Sequence, residues 1–143
     1  MQRIRSVSAT RVIATTPARI FDVLADPRQH PLLDGSGTVV NVRRAPERLF
    51  LGATFAMDMN NRISYLTRNK VVVFEENKAI AWHHWAQFVW RYDLEAVPEG
   101  TRVTESFAYD KPWAFVIILL GWPERNRLGM EATLQRIEQL LKA

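Results

Sequence analysis

Between residues 4 and 14 the apolar residues Ile4, Val7, Val12 and Ile13 lie among Ser, Thr and Arg with partial alternation, the pattern of a half-buried strand. Thr15-Thr16-Pro17 then predicts a helix start, since a Thr N-cap followed by Pro at the first helical position sacrifices no backbone hydrogen bond. Ile20, Phe21, Val23 and Leu24 give this short helix one apolar face, and Asp26-Pro27 ends it. A second short helix or turn passes through His30-Pro31-Leu32-Leu33 and stops at Asp34-Gly35-Ser36-Gly37.

From residue 38 to 109 the period is that of strands. Residues 38–42 form one and residues 53–59 the next, with Phe55, Met57 and Met59 on one face and Asp58 on the opposite, solvent side. Asn60-Asn61 marks a hairpin turn, and residues 63–74 continue with Tyr65 and Val71-Val72-Val73, with a bulge or short break near Arg68-Asn69. Residues 80–85 and 88–97 pair next, and Pro98-Glu99-Gly100 turns the chain into a last strand over 101–109. The period then changes: Met130, Leu134, Ile137 and Leu141 line one face of a helix over about 123–142.

The fold class is therefore α+β: a curved antiparallel sheet of six to seven strands, two short helices after the first strand, and a long C-terminal helix. The stripe of one helix is too narrow to cover so wide a sheet flat. The sheet must curl around the helix, and the short helices plug one opening. Space remains between sheet and helix unless bulky residues fill it. Residues 1–143 are expected to form one domain.

The order resembles the SRPBCC superfamily, the helix-grip fold of START lipid-transfer domains, pollen allergens and polyketide cyclase/dehydrase-like proteins. The resemblance rests on residues 14–21 with Leu24-Ala25-Asp26-Pro27, on Ile80-Ala81-Trp82 with residues 90–95, and on residues 100–106. It implies a cavity for a hydrophobic ligand such as a lipid, an isoprenoid or an aromatic polyketide-like compound. It implies no reaction, because the superfamily contains both carriers and enzymes.

Composition narrows the chemistry. Hydrophobic residues make up 48% and charged residues 24%, ordinary for a globular chain, and there is no cysteine for a disulfide, thiolate ligand or nucleophile. The N-terminal residues lack the continuous apolar core of a secretory signal, and cytoplasmic residence is the expectation. The apolar run over 113–120 is about half of the ~20 residues that span a bilayer, so no integral membrane span is expected. A formal charge of +4 comes without a run of like charges, which reads as solvated surface rather than a nucleic-acid footprint.

The aromatic hairpin carries the best candidate site. Ile80, Trp82 and His84 share one face, and Trp90, Tyr92 and Leu94 share a face of the partner strand. If Trp82 pairs with Tyr92, His84 pairs with Trp90 and all six meet on one side. Such aromatics are either plain core or the wall of a cavity. The candidate lining is Met57, Met59, Tyr65, Trp82, His84, Trp90, Tyr92, Phe107, Trp113, Met130 and Leu134.

For chemistry the candidates are His84, Glu105 and Tyr92. An imidazole exchanges a proton near neutral pH. Glu105 alternates with Val103 and Phe107; either a bulge or an Arg satisfies it, or it is a polar anchor or general base inside the pocket. His83 should face away from His84, and His30 is a weaker candidate at the cavity mouth. No third ligand has the spacing for a metal site, and no cofactor motif appears. Residues 113–122 have four readings: helix extension, lid, homodimer interface or membrane-touching element. Three functions follow: a carrier of a small hydrophobic ligand, a cyclase/dehydratase-like enzyme using the same cavity, or an interaction module acting through residues 113–122.

Overall fold

The computed structural model describes residues 6–84, 88–109, 111–114 and 121–142. Strand β1 (Ser6–Ile13) buries Ala9 and Ile13. Helix α1 (Pro17–Leu24) starts where Thr16 Oγ1 accepts the Arg19 N–H at 3.4 Å, and it buries Ile20, Phe21 and Leu24. Asp26 then caps a 3-10 turn (Pro27–Gln29) through the Arg28 N–H, and the chain runs directly into the one-turn helix α2 (His30–Leu33).

Six strands follow: β2 (Val39–Arg44), β3 (Thr54–Asn61), β4 (Ile63–Glu75), β5 (Ala79–His83), β6 (Val89–Val97) and β7 (Gly100–Ala108). They join β1 in a seven-stranded sheet of order β1-β7-β6-β5-β4-β3-β2, antiparallel throughout. A 3-10 turn (Pro112–Ala114) leads towards the long helix α3 (Trp122–Leu141). The sheet bends where extra residues interrupt the ladder, between Val39 and Asn41, Val42 and Arg44, and Val71 and Val73.

Several sequence expectations move. The hairpin turns at Arg62, held at φ 71°, rather than at Asn60-Asn61, which stay in β3. Strand β4 carries the expected bulge, but at Val72 rather than near Arg68-Asn69, where Asn69 points inward and its amide donates to the Phe55 carbonyl at 3.4 Å. Thr38 belongs to the preceding loop, where its N–H donates to Asp34.

Helix α3 lays Met130, Leu134 and Ile137 against the sheet, all at most 1% exposed. The α2–β2 loop is seated on the same helix. The Gly35 N–H donates to Thr133 Oγ1 at 2.8 Å, and Arg136 donates to the Asp34 carbonyl at 2.7 Å. Asp34 itself accepts the N–H groups of Ser36, Thr38 and Val39, which locks the loop. Ser36–Gly129 and Gly35–Ala132 approach closely enough that side chains larger than glycine have little room.

Candidate functional site

Strand alternation decides which side chains face the helix. On the concave side stand Phe55, Met57 and Met59 of β3, Thr67, Asn69 and Val71 of β4, Ile80 and Trp82 of β5, Trp90, Tyr92 and Leu94 of β6, and Val103, Glu105 and Phe107 of β7. Burial is uneven along this face. Ile80, Tyr92 and Leu94 are buried, whereas Trp82, His84, Trp90 and Met59 face inward yet stay half-buried. The concave face is thus closed at the Ile80–Leu94 end and accessible at the other.

Trp82 is the hub of that accessible region. Its ring stacks on His30 at 5.0 Å between centroids, meets Phe55 edge-on at 5.6 Å and lies tilted to Tyr92 at 5.8 Å. Trp90 packs on Phe107 at 4.7 Å, and Phe107 continues to Phe88 and Tyr109. The register corrects the sequence expectation: Ile80 pairs with Tyr92 and Trp82 with Trp90, so the hairpin is two residues out of the anticipated alignment. A shift of two keeps every side chain on its face. His84 lies beyond the last pair, edge-on to Phe88 at 5.9 Å.

Glu105 is 3% exposed and faces inward, with no bulge to turn it away. Its cross-strand partner is Tyr92, whose hydroxyl donates to the carboxyl group. Burial is the larger influence and pushes the Glu105 carboxyl up to about 8; the Tyr92 hydrogen bond opposes this and the negative charge of Asp34 adds to it. Burial and the facing carboxyl groups likewise hold the Tyr92 phenol well above its ordinary value. At neutral pH Glu105 therefore keeps its proton. Its Oε1 is buried without a hydrogen-bond partner.

The three histidines separate. His30 Nε2 lies 2.8 Å from the Leu24 carbonyl, which only accepts; Nε2 thus carries the hydrogen and Nδ1 the lone pair. Burial lowers the His30 pKa, so the ring is neutral and joins the aromatic cluster from the α2 side. Burial, with a smaller contribution from His83, pushes His84 down to about 4, which removes the proton exchange near neutrality expected of it. His83 pairs with the exposed Lys70 on the convex face and leaves a buried Nδ1 without a partner.

Of the remaining candidates, Met57, Met130 and Leu134 are buried in the core, Tyr65 stands opposite Met59 on the concave face and is 40% exposed, and Trp113 is 45% exposed in the 3-10 turn after β7. The stretch 115–120, central to the lid, helix-extension and interface readings, lies outside the described residues. Sequence reasoning missed Thr67 and Asn69, two buried polar groups on the inner face; they share the parity of Val71 and that signal was available. It also missed Asp34 as a negative charge acting on Glu105, for which a turn motif gives no cue. Among the described residues, two depressions outside the grip stand out. One, of about 600 Å³, lies against the edge strand β2, and the other, of about 730 Å³, between the start of α1 and the β4–β5 turn.

Comparison with known proteins fits this geometry. The Mycobacterium tuberculosis protein Rv0088, itself uncharacterized, is 33% identical over 138 residues, which span 92% of this chain and 62% of that protein. The chain thus matches less than two thirds of its curated relative. Among solved structures, a Chromobacterium violaceum protein superposes with a TM-score of 0.76 at 16% identity, covering 97% of this chain and 99% of that one. An AHSA1-like protein from Aeromonas hydrophila gives 0.68 at 13% identity, covering 96% and 92%. At these identities the structural likeness establishes the fold. A profile of polyketide cyclase/dehydrase and lipid transport proteins matches residues 5–142. The chain belongs to the polyketide cyclase/dehydrase and lipid transport family, ligand-binding domains of the helix-grip, SRPBCC-like fold.

Proposed function

We propose that this protein binds a small, largely apolar molecule at the accessible end of its grip, against Trp82, Trp90 and Met59. The observation that carries the reading is the half-exposure of these large side chains although they face the helix rather than solvent. A core aromatic gains by complete burial, and a ligand seated here would supply it. Lipids, isoprenoids and aromatic polyketide-like compounds suit such a lining. Burying ~300 Å² of apolar ligand surface is worth roughly 7–8 kcal/mol before the cost of association, which makes about micromolar the ceiling on the affinity this burial alone supplies. Native mass spectrometry of the purified protein, with tryptophan quenching by a fatty-acid or polycyclic aromatic probe, tests this. Co-purified or saturable ligand is expected; an empty protein that takes up no hydrophobic probe overturns it.

A second reading, cyclase/dehydratase-like catalysis, draws on the Tyr92–Glu105 pair, a phenol and a protonated carboxyl in contact. Glu105 would act there as a proton donor. The burial of Oε1 favours binding over turnover. Turnover that survives both Glu105→Gln and His84→Ala would remove this chemistry.

A further inference from the structure

Arg11 pairs with Glu138, Arg48 with Asp22 and Glu76, Arg91 with Asp93, Arg102 with Glu95, and Arg127 with Glu124 and Glu131. Among the described residues Arg19, Lys78, Lys111, Arg125, Arg136 and Lys142 have no ion pair, but they are spread over several elements, whereas the unpaired cations of β2–β4 gather on one part of the sheet. Arg44, Ala56 and Arg68 are aligned across β2, β3 and β4, and Lys70 follows Arg68 on the same convex face. Among the described residues Arg44, Arg62, Arg68 and Lys70 have no ion pair, and Asp58, the acid in the adjacent row, is taken by Arg43 at 3.0 Å. Arg28, nearby, spends its guanidinium on the carbonyls of Ala45 and Pro46, which neutralise no charge.

The same region exposes large apolar side chains. Leu32 is 62% exposed, Val40 54%, Leu66 41% and Ile63, beside the β3–β4 turn, 72%. Leu32 and Val40 line the depression of about 600 Å³ together with Arg28, Pro31, Arg43 and Arg44. The bulges in β2 and its paired arginines make that edge a poor template for another strand. Uncompensated cations interleaved with protruding aliphatic groups are complementary to a surface that is negative outside and apolar just beneath.

We infer that the β2–β4 edge, with Leu32 of α2, docks on an anionic membrane surface. Arg44, Arg62, Arg68 and Lys70 supply the attraction, and Leu32, Val40 and Ile63 enter the headgroup boundary. This surface is separate from the aromatic lining, so it stands or falls independently of the ligand-binding reading.

Vesicle flotation tests it, with phosphatidylcholine alone and with phosphatidylcholine containing about 30% phosphatidylglycerol, an anionic lipid. Wild type is expected to float with the anionic vesicles only, and less so as salt rises. The exposed double variant Arg44→Glu/Arg68→Glu should partition at least about tenfold more weakly. Leu32→Ser should weaken binding severalfold while the salt dependence persists. Uptake of a soluble hydrophobic probe should be unchanged in the double variant; if it falls, Arg62→Glu/Lys70→Glu replaces it and must show the same vesicle defect. Flotation indifferent to lipid charge, full binding by both charge-reversed variants, preferential capture by duplex DNA, or self-association that covers the patch would each overturn the proposal.

Discussion

Tyr92 and Glu105 stand directly opposite each other on β6 and β7, on the concave side of the sheet, and the phenol donates to the carboxyl. The pair is buried, and its acid is displaced from 4.5 to about 8. Such a group makes stability pH-dependent with a defined sign. Above about pH 4.5 the unfolded chain releases this proton while the folded chain keeps it. Stability therefore falls as pH rises from 4.5 towards 8 and then levels off. Glu105→Gln removes that slope, and the amide oxygen still accepts from Tyr92. The variant is expected to match wild type near pH 4.5 and to be more stable at pH 9 by a few kcal/mol, about 1.4 per unit of displacement at most. Urea denaturation at the two pH values checks it; equal differences at both would show that Glu105 is not displaced.

Trp82 joins three elements, since His30 from α2, Phe55 from β3 and Tyr92 from β6 all contact its ring. Removing a large aromatic from such a cluster costs about 3–5 kcal/mol, and the partial exposure of Trp82 places Trp82→Ala at the lower end. Trp82→Phe keeps a ring for Tyr92 and Phe55 and should lose no more than about 1.5 kcal/mol, the value of an aromatic pair. If the ligand lies on this face, both variants weaken uptake of a hydrophobic probe, the alanine variant more. Titration of the probe into the folded variants provides the measurement. Unaltered affinity in Trp82→Ala would move the ligand elsewhere.

The grip was legible because it depends on periods and turns. The spacing of Met130, Leu134 and Ile137 predicts α3, Thr16-Pro17 predicts the start of α1, and the alternation around Trp90 and Tyr92 predicts their common face. The hairpin register was not legible. Residues 84–88 separate β5 from β6, too many for local turn chemistry to fix one alignment, so the choice falls to packing between the two strands, as of Trp82 on Tyr92. The environment of the candidate site was legible only in part. Alternation places Glu105 inside, but its proton affinity depends on burial and on Asp34, a residue distant in sequence. His30 likewise reads as an isolated imidazole until α2 carries it onto Trp82.

His30 supplies a prediction of the opposite sign. Its neutral ring donates from Nε2 to Leu24, and burial lowers its pKa. Below about pH 6.5 the unfolded chain gains a proton that the folded chain resists, so this residue subtracts stability as pH falls. His30→Gln retains a donor for the Leu24 carbonyl and has no charge to gain. The variant should lose less stability than wild type between pH 7 and pH 5. Nitrogen-detected NMR should find His30 in the Nε2–H form throughout pH 6–8. An imidazolium at pH 6 would contradict the buried neutral assignment.

Two glycines at the contact between the α2–β2 loop and α3 separate steric need from helix propensity. A Cβ added at Gly35 would lie 2.5 Å from both Ala132 Cβ and the Gly129 carbonyl oxygen and 2.6 Å from the Thr133 nitrogen, and two of these three atoms are backbone. The loop cannot retreat freely, because Gly35 donates to Thr133 and Asp34 is tied to Arg136. Gly35→Ala is therefore expected to cost about 2–3 kcal/mol, at the upper end of overpacking changes. At Gly129 the tightest contact of an added Cβ is Ser36 Cβ, at 3.3 Å, with Ser36 Cα and N in ordinary van der Waals contact at 3.6 Å. Replacing glycine by alanine inside a helix gains roughly 0.5–1 kcal/mol. Gly129→Ala should accordingly fall near zero, within about 1 kcal/mol of wild type. Urea midpoints of the two variants decide the matter. Equal losses would mean that the loop and helix move apart together and that the close approach at Gly35 is not what seats them.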